Sequence, residues 1–349
     1  MAKRLGTDTL LLPTRPVILG RGAVGGKLEG EGPLGKQLDA VFLEADMGEE
    51  SWEKAEVRLQ QAAIRRALDS AGCPAEEVEL LFGGDLLNQC SATSFALREL
   101  GIPLAGLYSA CATFALGVAM AALSVDGGGF RRVMAAASSH FCSAEKQFRF
   151  PLEYGAMMTP TAQRTATAAG ALLLQSAGEP LPPERAAAAH SVCVEKVLFG
   201  RVNDLGVADA NSMGAAMAPA AADTILRFLK DTNMQPTDLD CILTGDLGEI
   251  GSQLLLELAK CEGGVDLAPV HRDGGRLLYD TAQQDVGVGG SGIGCSAAVL
   301  CADVLPKLER GEWQRVLYVG TGALLSVITP LQGESIPAIA HGVLFSVAP

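Results

Sequence analysis

Apolar and polar positions along this chain fall into blocks that occur twice. Ala62-Ala63-Ile64-Arg65-Arg66-Ala67-Leu68 has the spacing of a helix with one buried face and stops at Gly72 and Pro74. An acidic stretch follows, then the apolar run Val78-Glu79-Leu80-Leu81-Phe82, which predicts a strand, and then Gly84-Asp85. The same series returns at Ala222-Asp223-Thr224-Ile225-Leu226-Arg227-Phe228-Leu229. It stops near Asn233 and Pro236 and runs through Leu239-Asp240-Cys241-Ile242-Leu243 into Gly245-Asp246. The shift is 161 residues, with a one-residue slip at the proline.

A second pair of blocks follows in the same order. Ser109-Ala110-Cys111-Ala112 opens an uncharged helix, Thr113–Leu123, and Phe130-Arg131-Arg132-Val133-Met134 leads into a strand of small residues. Its mate is Gly294-Cys295-Ser296-Ala297-Ala298-Val299-Leu300, followed by Trp313-Gln314-Arg315-Val316-Leu317-Tyr318, at a shift of about 183. Two ordered pairs predict a duplicated α/β unit. Each apolar helix needs cover on all sides, so the halves are expected to pack face to face with those helices between two sheets. The division is expected near Gly178–Pro183, where prolines cluster, giving halves of 1–178 and 179–349.

Leu100 to Val125 has no charged residue, a length that suffices to cross a bilayer. It also contains Gly101, Pro103, Gly106, Gly117 and the pair Tyr108-Ser109. A strand followed by a buried helix fits this composition better. The first residues, Met-Ala-Lys-Arg-Leu-Gly-Thr-Asp, have no apolar core, so no signal peptide is expected.

Composition narrows the functional classes. The 349 residues are 48% hydrophobic and 19% charged, which excludes a disordered chain. A net charge of −13 argues against a nucleic-acid partner, because phosphate binding requires clustered Lys and Arg. Nine cysteines with no CxxC pair and no His at ligand spacing read as free thiols and not as a zinc site.

Two glycine patterns imitate phosphate-binding loops. Gly20-Arg21-Gly22-Ala23-Val24-Gly25 matches GxGxxG, but the glycine-rich run that follows, Gly26 to Pro33, is not expected to form the helix such a site needs. Gly30–Gly35-Lys36 has Gln37 where a hydroxyl should hold magnesium, and Pro33 lacks a backbone donor. Cys111 carries more weight. A Cys after a short strand, at the first turn of a buried helix, stands where the helix dipole favours a thiolate and where an acyl-accepting nucleophile would sit. The alternative is a small buried thiol that only packs.

Tyr108-Ser109-Ala110-Cys111-Ala112-Thr113-Phe114 resembles the nucleophile turn of the ketosynthase III enzymes, within the thiolase and ketoacyl-synthase superfamily. Thr165–Leu172 is similar to their glycine-rich strand, and Met213–Ala220 resembles the methionine-glycine-proline segment of thiolases. A narrower resemblance is to the stage V sporulation protein AD family. It rests on Gly30–Leu34, Asp85–Gln89, Thr159–Gln163, Met213–Ala220, Gly289–Gly292 and Gln332–Pro337. Arg164 departs from that family, where a tryptophan is expected.

The resemblance implies an α/β protein with the thiolase-like five-layer αβαβα sandwich built from two duplicated halves. It also implies non-catalytic binding of pyridine-2,6-dicarboxylate, free or as its calcium chelate, for uptake into the developing spore. No cofactor is implied beyond calcium arriving with that ligand. The implied partners are a second copy of the chain, through a first-half edge strand after Leu107, and membrane proteins of stage V of sporulation. These would hold it on the cytoplasmic side, soluble or peripheral to the spore inner membrane.

The condensing enzymes of the superfamily use a His and an Asn or a second Cys beside the nucleophile. At the matching places this chain has Gly245 or Asp246, Ile293-Gly294, Ser291 and Tyr318. Loss of one such donor costs about a hundredfold to a thousandfold in rate. The expected ligand contacts are therefore the helix start at Cys111 and Thr113, the glycine-rich turn with Ser291, Arg164 as counter-charge, Gln163 as donor, and His140 at the end of its strand. Asp246 would either accept a hydrogen bond near a calcium-bound ligand or cap the next turn. The alternatives are a Cys-dependent acyltransferase or β-ketoacyl-synthase-type enzyme, and a structural platform with an empty pocket.

Overall fold

The structure, a computed structural model, describes residues 1–147, 159–182, 189–326 and 328–348. The first half contributes strands β1 (Val17–Gly26), β2 (Leu80–Gly84), β3 (Leu104–Gly106), β4 (Arg132–Ser139) and β5 (Ala168–Gln175), with helices α1 (Trp52–Ala71) and α2 (Thr113–Asp126). The second contributes β6 (Val192–Leu198), β7 (Cys241–Thr244), β8 (His271–Asp273), β9 (Arg315–Ala323) and β10 (Ala338–Val347). Its main helices are α3 (Met213–Thr232), α4 (Gly248–Gly263) and α5 (Ile293–Val299). The division expected near Gly178–Pro183 lies in the connection between β5 and β6.

The duplication is exact in topology. The first half has strand order β3-β2-β4-β5-β1 and the second β8-β7-β9-β10-β6. In each, the strand after the outer helix runs parallel to both its neighbours, and the last strand runs antiparallel to both of its own. The sequence predicts two separate sheets, and the structure instead joins them into one continuous path. They join at the residue pair Val17–Cys193, where β1 meets β6, and the first-half segment Thr9–Leu11 also pairs with β6.

The local signals behave as the sequence implies. Ser51 caps α1 by accepting the Lys54 N–H at 3.3 Å. Gly72 ends α1 in the left-handed conformation, and Asn233 ends α3 in the same way. Each cap leads through a single 3₁₀ turn, Ala75–Glu77 or Pro236–Asp238, into β2 or β7. The GxGxxG string lies inside β1 and forms no phosphate loop, although Lys27–Gly30 does form one helical turn, contrary to expectation.

Five layers follow. Helix α1 covers the outer face of the first sheet, and α3 with α4 covers the second. Between the sheets lie α2 and α5. Helix α2 packs on β2 and β4 of its own half and on β9 and β10 of the other; α5 packs on β1, β4 and β5. Small residues permit this spacing. A Cβ added at Gly170 would come 2.7 Å from Ala297, and one at Gly320 would come 2.5 Å from the Ala115 methyl. The uncharged segment is thus the buried helix α2, and among the described residues no helix is long and apolar enough to cross a membrane.

Candidate functional site

The turn ahead of α2 is the focus. Ala110 holds a left-handed backbone, φ 47°, a conformation that costs a side-chain-bearing residue about 1 kcal/mol or more. Thr113 pays for it locally: its hydroxyl donates to the Ala110 carbonyl at 2.6 Å and accepts the Ser109 N–H at 2.8 Å. Thr113 is therefore a brace of the turn and not the ligand contact expected of it. The N–H groups of Ala112 and Thr113 are also engaged, by the carbonyls of Ser109 and Ala110. The turn projects Cys111 into a cavity.

Asp246, at the end of β7, comes to Cys111 from the second half. Its carboxyl accepts the Thr321 hydroxyl at 2.7 Å, the Gly292 N–H at 2.7 Å and the Ser291 hydroxyl at 3.2 Å. It thus caps no following turn; it pins the glycine-rich turn beside the thiol. Gly292, at φ 99°, can take that shape because it lacks a side chain. Burial raises the Asp246 carboxyl to about 6 in spite of these donors.

Cys111 does not behave as the helix-dipole argument predicts. Burial pushes its thiol well above the ordinary range, and the Asp246 carboxylate, hydrogen-bonded to it, pushes it further. The donors at Gly292 and Ser291 oppose this only weakly. The sulfur is a protonated thiol at neutral pH.

The cavity encloses about 80 Å³. Apolar walls come from Leu86, Met213 and Leu325, and Tyr108, 53% exposed, stands at its mouth. Asn88, Gln147, Thr165, Ser291 and Ser326 supply polar edges, and the described lining contains no charged side chain and no histidine. Of these, only Cys111 and Ser291 were legible as candidates. Asn88 and Tyr108 sit within the strings that carry the family resemblance, which was the available signal.

Three expected contacts point elsewhere. His140 is buried with both ring nitrogens engaged: one faces the Ala45 carbonyl at 2.8 Å and the other accepts the Cys142 N–H at 3.2 Å. Its ring stacks on Trp52, and burial lowers its pKa, so it is a neutral structural cap. Gln163 spends its amide protons on the carbonyls of Asp246 (2.7 Å) and Gly290 (2.8 Å), locking the site's frame from behind. Arg164 and Thr165 form a two-residue ladder with Gly290 and Ser291. Alternation along that ladder turns Thr165 and Ser291 toward the thiol and Arg164 to a different cleft.

Two further buried histidines are occupied too. His341 accepts the Gly200 N–H and contacts the Ser109 hydroxyl at 2.9 Å; His271 contacts the Thr244 hydroxyl at 2.9 Å. Burial lowers both rings to about 4, so both are neutral. Among the described residues no cluster is arranged to hold a metal ion.

A thiol on a strained turn, ahead of a central helix between two identically wound halves, defines a thiolase-like protein. Solved structures agree on the fold. A tetronic acid condensing enzyme superposes with a TM-score of 0.58 at 18% identity, covering 95% of this chain and 99% of that one. The 3-oxoacyl-[acyl-carrier-protein] synthase III of Aquifex aeolicus VF5 gives 0.56 at 13% identity, with coverage of 95% and 99%. OleA of Xanthomonas campestris, with bound lauric acid and lauroyl-CoA, gives 0.58 at 14%, with coverage of 94% and 98%. Within that class, the chain belongs to the stage V sporulation protein AD family, whose model matches residues 6–346. It is 40% identical to the stage V sporulation protein AD of Bacillus subtilis (strain 168) over 344 residues, 98% of each chain.

Proposed function

We propose that this chain binds pyridine-2,6-dicarboxylate in the Cys111 cavity, as the calcium chelate, and passes it on unchanged during uptake into the developing spore. Family membership supports the sporulation role. The observation that carries the choice of ligand form is electrostatic. The described lining offers no cation, and the Asp246 carboxyl lies directly behind the thiol. A free dianion would meet an uncompensated anion in a poorly solvated site, whereas the one-to-one calcium chelate is neutral. Leu86, Met213, Leu325 and Tyr108 suit the flat ring, and the amides of Asn88 and Gln147 suit carboxylate oxygens.

The same geometry disfavours turnover. A thiol held protonated, with no histidine in the described lining to remove the proton, is a poor nucleophile. On this reading the protein is a binder. A second copy is proposed to dock along the β3 edge, near the exposed Phe95 and Tyr108, and membrane partners are proposed to hold the chain at the inner membrane as a peripheral protein.

Titration calorimetry with the chelate, with the free acid and with calcium alone tests the proposal. The chelate is expected to bind best, with at least tenfold loss in Tyr108→Ala. Absence of binding by either form of the acid overturns it. So does a stable acyl adduct on Cys111 after incubation with acyl-CoA, detected by mass spectrometry and absent in Cys111→Ala.

A further inference from the structure

A second cleft, of about 400 Å³, lies on the other side of the 164–165 ladder and plays no part in the Cys111 site. Two cations border it, Lys27 and Arg164, and among the described residues no carboxylate is paired with either. The Arg164 guanidinium carbon sits over the Phe141 ring, 3.9 Å from its centre. That stacking orients the fork and leaves its edges free for a carboxylate.

Glu29, 2% exposed, lines the same cleft. One carboxyl oxygen takes the Tyr279 hydroxyl and the Thr167 N–H, the latter at 2.9 Å. Tyr279 is itself fully buried, so the acid is held rigidly by the second half of the chain. Burial raises the Glu29 carboxyl, while the field of Arg164 opposes that shift. Glu31 and Asp285 stand at the rim, and Leu28, Leu43 and Ala45 form an apolar side; Leu43 is 69% exposed.

A cation and a buried acid face one cleft beside an aliphatic wall. We propose that this cleft is a binding site for an aliphatic α-amino acid, its carboxylate on Arg164, its ammonium toward Glu29 and its side chain against Leu28 and Leu43. Each charge of the ligand meets its opposite, and the rim acids Glu31 and Asp285 add to the pull on the ammonium. Dicarboxylates are excluded by the same three acids. The inference is independent of what the Cys111 cavity binds.

L-leucine serves as the probe, in titration calorimetry with the full chain. Binding is expected in the wild type, with at least tenfold weakening in Arg164→Gln and in Glu29→Gln. 4-Methylpentanoate, which lacks the amine, and 3-methylbutan-1-amine, which lacks the carboxylate, are each expected to bind at least tenfold more weakly than L-leucine. Arg164→Gln alters a partly exposed side chain that has no side-chain hydrogen bond among the described residues, so it reports on binding even where Glu29→Gln perturbs folding. Pyridine-2,6-dicarboxylate binding is expected to be unchanged in Arg164→Gln. No heat with L-leucine up to millimolar concentration, or equal affinity in Arg164→Gln and the wild type, overturns the assignment.

Discussion

Asp246 accepts the backbone N–H of Gly292 at 2.7 Å while its carboxyl also faces the Cys111 thiol. One acid from the second half therefore shapes the turn beside a sulfur supplied by the first. It sets that sulfur's protonation as well, because a neighbouring anion disfavours a thiolate.

Cys111 is expected to alkylate slowly with iodoacetamide at pH 7.5. Asp246→Asn keeps an oxygen for Gly292 and removes the charge, which lowers the thiol pKa. A one-unit fall gives about a tenfold rise in thiolate. Peptide mass spectrometry of the labelled residue is the measurement, and equal rates in the two proteins would contradict the assigned role of Asp246.

Stability is expected to fall as pH rises from 6.5 to 8.5. Glu56 is buried against the hydroxyls of Ser138 and Ser143 and is raised to about 8, and Asp273 is raised to about 7. Raised acids hold protons in the folded chain that the unfolded chain has already lost, so their stabilisation disappears as pH climbs through the folded values. His271 and His341, lowered to about 4, act only below the ordinary His range and do not oppose this trend. Urea midpoints across the window are expected to drop, and Glu56→Gln to remove at least half of the slope between pH 7 and 8.5.

The Ala110 turn makes a backbone prediction. Relief of its left-handed strain and the extra entropy of glycine nearly offset, so Ala110→Gly is expected to stay within about 1 kcal/mol of wild type. Ala110→Val is expected to lose about 2 kcal/mol or more, because branching at Cβ worsens the same clash. Denaturant unfolding of the pair is the check; equal stabilities would remove the argument for strain.

The central layer makes a packing prediction. Gly170→Ala and Gly320→Ala each force a methyl into Ala297 or Ala115, and each is expected to cost about 1–3 kcal/mol by the same measurement. Gly129, which has nothing within 4 Å of an added Cβ and no left-handed backbone to strain, is the control site.

The duplication was legible because each half repeats a helix stop, a strand and a glycine-aspartate pair in order, and those are local signals. The site was only partly legible. Cys111, Ser291 and Asp246 converge, but sequence placed Thr113 beside them when its hydroxyl in fact serves its own turn. His140 finds its partner at Ala45, 95 positions away, which no spacing rule reaches. Arg164 and Thr165 differ by one residue, and one residue on a strand is the difference between two faces. Glu29 and Tyr279 meet across 250 positions and gave no local signal at all.

Helix α2 lies against β9 and β10, and α5 against β1, β4 and β5. A ribosome that has released only the opening portion of this chain has therefore produced an alanine-lined helix with one bare flank, awaiting strands encoded some two hundred positions later. Maturation must come late, and chaperone dependence during synthesis should exceed that of chains whose cores close locally.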